Sequence, residues 1–308
     1  MKINLNNKRV LSGYLFAVIA TVIWSGNFIV ARGLNESIPP VSLAFWRWLV
    51  AIIIFLPFGL KPLILEWRII KKNFLFLSIV SILGISIFNT LIYIAGQTTT
   101  AINLSLISIT FPIFILIISR LFLNEKITTN KILGIIIVVF GVLLLITKGN
   151  IADLFLIEFV LGDFWMLLAS LIFAIYSILL KYKPKELSLL PFQLITFIIG
   201  LFYLLPFYIW EYATSPSLVL DSSIIGSILY VGVFASLIAF IMWNKSIVSI
   251  GATKAGLIYY TLPLFSGFLA YVFLDEHVSA IHLYSLLLII FGILTAIYSS
   301  KKNKKRVE

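Results

Sequence analysis

A chain of 308 residues that is 61% hydrophobic and 11% charged, with mean hydropathy +1.13, has too little polar surface for a soluble domain and reads as a polytopic membrane protein. Its formal charge of +11 is spread between apolar runs, so anionic lipid headgroups rather than nucleic acid are the expected neighbours. Without a cysteine, disulfides, thiolate metal sites and cysteine nucleophiles are excluded.

Charge-poor runs of about 20 residues, the length that crosses a bilayer as a helix, are expected at 10–31, 40–59, 74–95, 101–122 and 131–147. Five more are expected at 161–180, 190–210, 224–244, 254–273 and 279–299. The first follows Lys2, Lys8 and Arg9 as a signal peptide would, but it lacks a small-residue cleavage site and is read as a retained span. Asn73 to Ser119 carries no charge and is too long for one crossing; Gly96-Gln97-Thr98-Thr99-Thr100 supplies the turn between two. The expected fold is therefore all-α, ten transmembrane helices with short connections.

Orientation follows from the basic residues. With the N-terminus inside, 19 of the 23 lysines and arginines fall in inner segments, including Lys61 to Lys72, Lys181 to Lys185 and the tail from Lys301 to Arg306. Arg32 and Lys148 fall outside, and Arg47 and Arg120 fall within spans. Both termini are expected in the cytoplasm.

One block occurs twice. Thr110 to Leu143 carries Pro112, Glu125, Gly134 and Gly141, and an offset of 151 (112 to 263) finds Pro263, Glu276, Ser285 and Gly292. Pro40 returns as Pro191 and Ala101 as Ala252 at that offset. The reading is two halves, 1–147 and 161–308, joined by a linker at 148–160. An odd number of spans per half inverts the second, the geometry that supports alternating access. Each proline is expected to bend its helix, and the paired small residues to let helices approach closely.

Arg47 is the charge placed well inside a span, at an insertion cost of roughly 2.5–3.5 kcal/mol. It either draws an anionic group of a solute into a cavity or ties helix 2 to its neighbours. Trp24 and Asn27 share a face of helix 1; Ser86, Asn89, Tyr93 and Gln97 form a polar stripe on helix 3. Tyr176, Trp243 and Tyr259 offer aromatic faces from the second half, beside Phe173 and Phe240. All twelve acidic residues lie in loops, tails or span ends, so coupling through a buried mid-membrane acid is not expected. No metal constellation, phosphate loop or catalytic triad is present, and no cofactor is implied.

The combination resembles the drug/metabolite transporter superfamily, in its ten-helix EamA-like branch. It is carried by Trp24-Ser25-Gly26-Asn27, Arg47 after Pro40, Pro112 with Leu123-Asn124-Glu125 and Gly141, and Pro263 with Leu274-Asp275-Glu276 and Gly292. The resemblance implies a secondary transporter of the bacterial inner membrane, monomer or homodimer, exporting amino acids, aromatic ones among them. Import of a nucleotide-like or sugar-derived metabolite is the alternative within transport. A membrane-embedded enzyme on lipid-linked substrates would need a cluster of acids, histidines or bases at one face, which the chain lacks. A non-transporting assembly factor would have no use for the polar stripe and Arg47. The expected substrate-binding residues are Trp24, Asn27, Arg47, Asn89, Tyr93, Tyr176, Trp243 and Tyr259.

Overall fold

A computed structural model describes residues 5–99, 101–147, 149–150, 152, 160–215, 221–266, 268 and 280–304. Among the described residues there are helices and loops and no strand. In lipid no water meets an open backbone group, so a segment this apolar pairs its amides within itself. The helices are α1 (Leu5–Gly33), α2 (Pro40–Leu65), α3 (Trp67–Lys72), α4 (Phe74–Ser81), α5 (Phe88–Thr98), α6 (Ala101–Ser108) and α7 (Thr110–Leu123). There follow α8 (Thr129–Ile146), α9 (Leu161–Leu179), α10 (Leu189–Thr214), α11 (Ser222–Leu229), α12 (Ala239–Ile250), α13 (Ala252–Tyr259) and α14 (Ala280–Lys304).

Among the described residues, six stretches are long and apolar enough to cross a membrane: Lys8–Gly33, Pro40–Leu65, Phe74–Thr98, Leu161–Tyr182, Leu189–Thr214 and Ser222–Ile250. Thr110–Leu123, Thr129–Leu145 and Leu283–Ile297 are shorter apolar helices. The chain is thus a multi-pass helical membrane protein. Most of the linker at 148–160, the end of the helix expected at 254–273, and Leu274-Asp275-Glu276 lie outside the described residues.

Several helices differ from expectation in ways the chemistry explains. α2 runs through Pro57 and Pro62 to Leu65 rather than stopping near Gly59, because neighbouring helices and local adjustment take up the carbonyls that a proline frees. The single helix expected at 101–122 is broken at Ile109. A ring at Pro112 cannot bond the carbonyl four residues back, that of Ser108, where α6 ends. Pro263 stands in the same relation to Tyr259, where α13 ends. The Phe74–Thr98 and Ser222–Ile250 stretches each contain π-helix, at Ile82–Ile87 and Tyr230–Ile238. α10 continues past residue 210 to Thr214 and so takes Glu211 into its last turn, buried.

Packing follows the small residues. α8 lies along α14 with Gly134 against Gly292: a Cβ on Gly134 would sit 2.5 Å from the Gly292 carbonyl oxygen, and one on Gly292 2.7 Å from that of Gly134. α2 packs on α10, α1 on α12, and α9 on α5 and α7. α2 and α10 run antiparallel, since Glu66 at the end of α2 reaches Ser188 before α10, and Glu211 near the end of α10 reaches Ser42 at the start of α2. The main core gathers Trp24, Trp48, Phe173, Phe197, Phe240 and Trp243, and a smaller one sits around Val138, Tyr260 and Ile289.

Candidate functional site

Arg47, two turns into α2, has no exposed surface. Its Nε donates to Ser236 Oγ at 2.6 Å, and its Nη1 to Tyr93 Oη at 2.5 Å and Asn27 Oδ1 at 3.4 Å. The Tyr93 hydroxyl donates onward to Asn27 Oδ1 at 3.0 Å. The guanidinium carbon lies 5.2 Å from the Trp48 ring centre and 5.5 Å from that of Tyr93, so two π faces soften the charge. Every one of these partners is neutral. Among the described residues no carboxylate pairs with Arg47, and its Nη2 meets no acceptor.

The backbone around it is shaped for this. Within the π-helical stretch, Ser236 Oγ donates to the Val231 carbonyl five residues back at 2.7 Å, which turns its lone pairs toward Arg47. Gly26 leaves room for Tyr230, whose hydroxyl donates to the Ile23 carbonyl at 2.7 Å and holds α1 to that stretch. Trp24 Nε1 donates to the Ala235 carbonyl at 2.9 Å, next to Ser236.

Trp24 is also the hub of an aromatic box. Its ring centre lies 5.4 Å from Phe173, 5.5 Å from Phe240, 5.4 Å from Trp243 and 6.3 Å from Tyr259. Phe111 joins from α7, 4.9 Å from both Phe173 and Tyr259. The rings meet one another, so a solute held here would part them.

Beyond the box, toward the start of α1, lies a second polar layer. Tyr176 Oη donates to Asn244 Oδ1 at 3.0 Å, Asn244 Nδ2 donates to Gln193 Oε1 at 2.6 Å, and Trp243 Nε1 donates to Ser177 Oγ at 3.1 Å. A cavity of about 510 Å³ opens below it, walled by Ile178, Leu180, Ile247 and Val248 and rimmed by Arg9, Glu125, Lys181, Lys183 and Lys185. Burial lowers the pKa of Lys183 at that rim, while Glu66 and Glu186 oppose the shift.

The model of the EamA-like transporter family matches this chain twice, over residues 11–147 and 160–298. The chain belongs to the EamA-like transporter family. Similar proteins include an uncharacterized transporter of Archaeoglobus fulgidus, 25% identical over 277 residues, covering 85% of this chain and 89% of that one. The uncharacterized transporter YyaM of Bacillus subtilis is 25% identical over 289 residues, 93% of each chain. A riboflavin transporter of Brucella anthropi is 26% identical over 170 residues, 53% of this chain and 56% of its own. A solved crystal structure shares the fold at TM-score 0.74 and 16% identity, covering 94% of this chain and 98% of that one. The family and its relatives make this a small-molecule transporter in a lipid bilayer.

Within this EamA-like protein the expected residues fall into groups. Asn27, Arg47 and Tyr93 bond one another; Trp24, Trp243 and Tyr259 share the aromatic box. Tyr176 borders the box, its ring 5.5 Å from Phe173, while its hydroxyl belongs to the second layer. Asn89 stands apart: its Nδ2 donates to the Gly84 carbonyl at 3.3 Å inside the π-helical stretch. Ser86 likewise turns to a backbone carbonyl, that of Gly200, at 2.7 Å, so Tyr93 alone of these three on the helix-3 stripe reaches Arg47. Ser236, Gln193 and Asn244 were not among the expected residues. Asn244 had a signal, since it lies at the repeat offset from Tyr93 (93 to 244).

Proposed function

We propose that the chain exports amino acids, aromatic ones among them, across a bacterial inner membrane by alternating access. The observation that carries the reading is Arg47, a fully buried cation held only by neutral groups, with one guanidinium nitrogen unpartnered among the described residues. A buried charge without a counter-ion is costly, and a carboxylate arriving with the solute removes that cost. Beside it the aromatic box receives an apolar or aromatic side chain. Among the described residues the buried acids, Asp163 and Glu211, already accept from neighbouring donors, so neither stands ready for a purely cationic solute. A second reading is a planar heteroaromatic solute like that in the Brucella anthropi relative's name, whose plane would take the place of one ring in the Phe88–Phe173 stack, now 4.1 Å apart at 10°.

The mechanism belongs to two halves, 1–147 and 161–308, inverted with respect to each other and giving ten spans, with both termini in the cytoplasm. The shared offset of 151 (112 to 263), the paired π-helical stretches and the reciprocal Glu66 and Glu211 contacts support that arrangement. The cavity then opens to the cytoplasm, and the box and Arg47 are closed to the other side.

Binding of labelled L-phenylalanine to purified protein tests the site. Replacing a charge-assisted bond that is worth about 1.5–3 kcal/mol, Arg47→Ala is expected to weaken binding about tenfold to a hundredfold, and Arg47→Lys less. L-phenylalaninamide, lacking the carboxylate, should bind all three proteins alike. Unchanged phenylalanine affinity in a folded Arg47→Ala variant would remove Arg47 from the site, and riboflavin as competitor separates the second reading.

A further inference from the structure

The second polar layer has a direction. Tyr176 donates to Asn244, Asn244 donates to Gln193, and the chain ends on Gln193 Nε2, which has no acceptor among the described residues. All three side chains are at most 1% exposed. A buried amide nitrogen with both hydrogens open is as costly as any orphan donor in a protein interior. What the open donor calls for is an oxygen acceptor, not a metal.

Its place in the molecule gives that donor an audience. Asn244 is one helical turn before Ile247, and Tyr176 lies just before Ile178, both of which wall the cavity of about 510 Å³. On the other side Tyr176 and Trp243 are part of the aromatic box. Tyr176 and Asn244 thus lie between box and cavity along α9 and α12, and Gln193 joins them through its bond from Asn244.

We infer that Tyr176, Asn244 and Gln193 form a second solute station, in which Gln193 Nε2 donates to a carbonyl oxygen, from an amide or a carboxylate, of a solute whose ring rests on the aromatic box. Arg47 selects charge; Gln193 reads only an acceptor. The station rests on the transporter reading but not on the assignment of a carboxylate to Arg47.

The natural chain has no cysteine, so a single thiol at Ile247→Cys reports on occupancy of the layer above it. Its labelling by methyl methanethiosulfonate is followed with L-phenylalaninamide or with phenethylamine, which has the same ring and ammonium but no carbonyl. Neither probe has a carboxylate. At a concentration where phenylalaninamide slows labelling about fivefold, phenethylamine is expected to slow it no more than about twofold, its affinity being about fivefold lower for want of one neutral hydrogen bond. Adding Gln193→Met or Gln193→Leu, neither of which has a donor, should bring the protection by phenylalaninamide down to that given by phenethylamine. Absence of protection by phenylalaninamide, equal protection by phenethylamine, or protection undiminished in both Gln193 variants would each overturn the station. Failure of phenylalanine to respond to Arg47 would instead count against the carboxylate site alone.

Discussion

Glu211 and Glu66 each cap a helix to which they do not belong. Glu211 accepts from the Val41 amide at 3.1 Å, the Ser42 amide at 2.6 Å and the Ser42 hydroxyl at 2.8 Å, which satisfies the open amides where α2 begins. Glu66 accepts from the Ser188 amide at 2.7 Å and its hydroxyl at 2.5 Å, but at the surface. Burial decides which one matters more, since amides left open in water are re-bonded and buried ones are not. Glu211→Ala is expected to lower the thermal midpoint in detergent by about 5 °C, and Glu66→Ala by far less. Equal losses would show that burial is not what sets the effect. That the acids stand at span ends was legible in the sequence. Their partners were not, because the contacts join residues 169 and 122 positions apart and no local pattern announces them. Arg47 was legible for the opposite reason: a lone arginine in an apolar run is anomalous by itself.

Helix pairing is where spacing in the sequence spoke most clearly. The small residues two turns apart in the repeated block predicted a close face, and α8 and α14 meet with Gly134 on Gly292. Gly134→Leu or Gly292→Leu is expected to force the pair apart and to lower the thermal midpoint by about 5 °C or more, as overpacking of a tight interface costs about 1–3 kcal/mol. Gly226→Ala is the control, because nothing lies within 4 Å of a Cβ there. A similar loss in all three would trace the effect to helix propensity or handling. The breaks before Pro112 and Pro263 were also foreseeable in kind, from the bond that a proline ring denies. The π-helical stretches at Ile82–Ile87 and Tyr230–Ile238 were not. They depend on tertiary fit: Gly84 receives the Tyr176 ring, and Gly232 lies against Val50 and the Arg47 carbonyl. One consequence is that the stripe of Asn89 and Tyr93, read with regular helical spacing, splits, with Asn89 spent on the Gly84 carbonyl.

At the scale of the whole molecule, the orientation and the transport cycle belong together. The excess of lysine and arginine near the start of α1, around α3 and in the tail is what supports the proposed placing of those regions in the cytoplasm. In a chain without cysteine, Arg68→Cys should resist an impermeant thiol reagent added to intact cells and react once the cells are opened; labelling from outside would invert the orientation and place the cavity on the wrong side. Among the described residues the buried acids, Glu211 and Asp163, sit at helix ends with their oxygens occupied by neighbouring donors. Exchange, facilitated diffusion or coupling through groups other than a buried acid is the mode we propose for this chain. The most direct measurement is counterflow in proteoliposomes: vesicles loaded with unlabelled L-phenylalanine should accumulate labelled L-phenylalanine from outside through the unmodified protein and lose that accumulation with Arg47→Ala. Counterflow equally strong in a folded Arg47→Ala protein, or none for any carboxylate-bearing amino acid, would contradict the account.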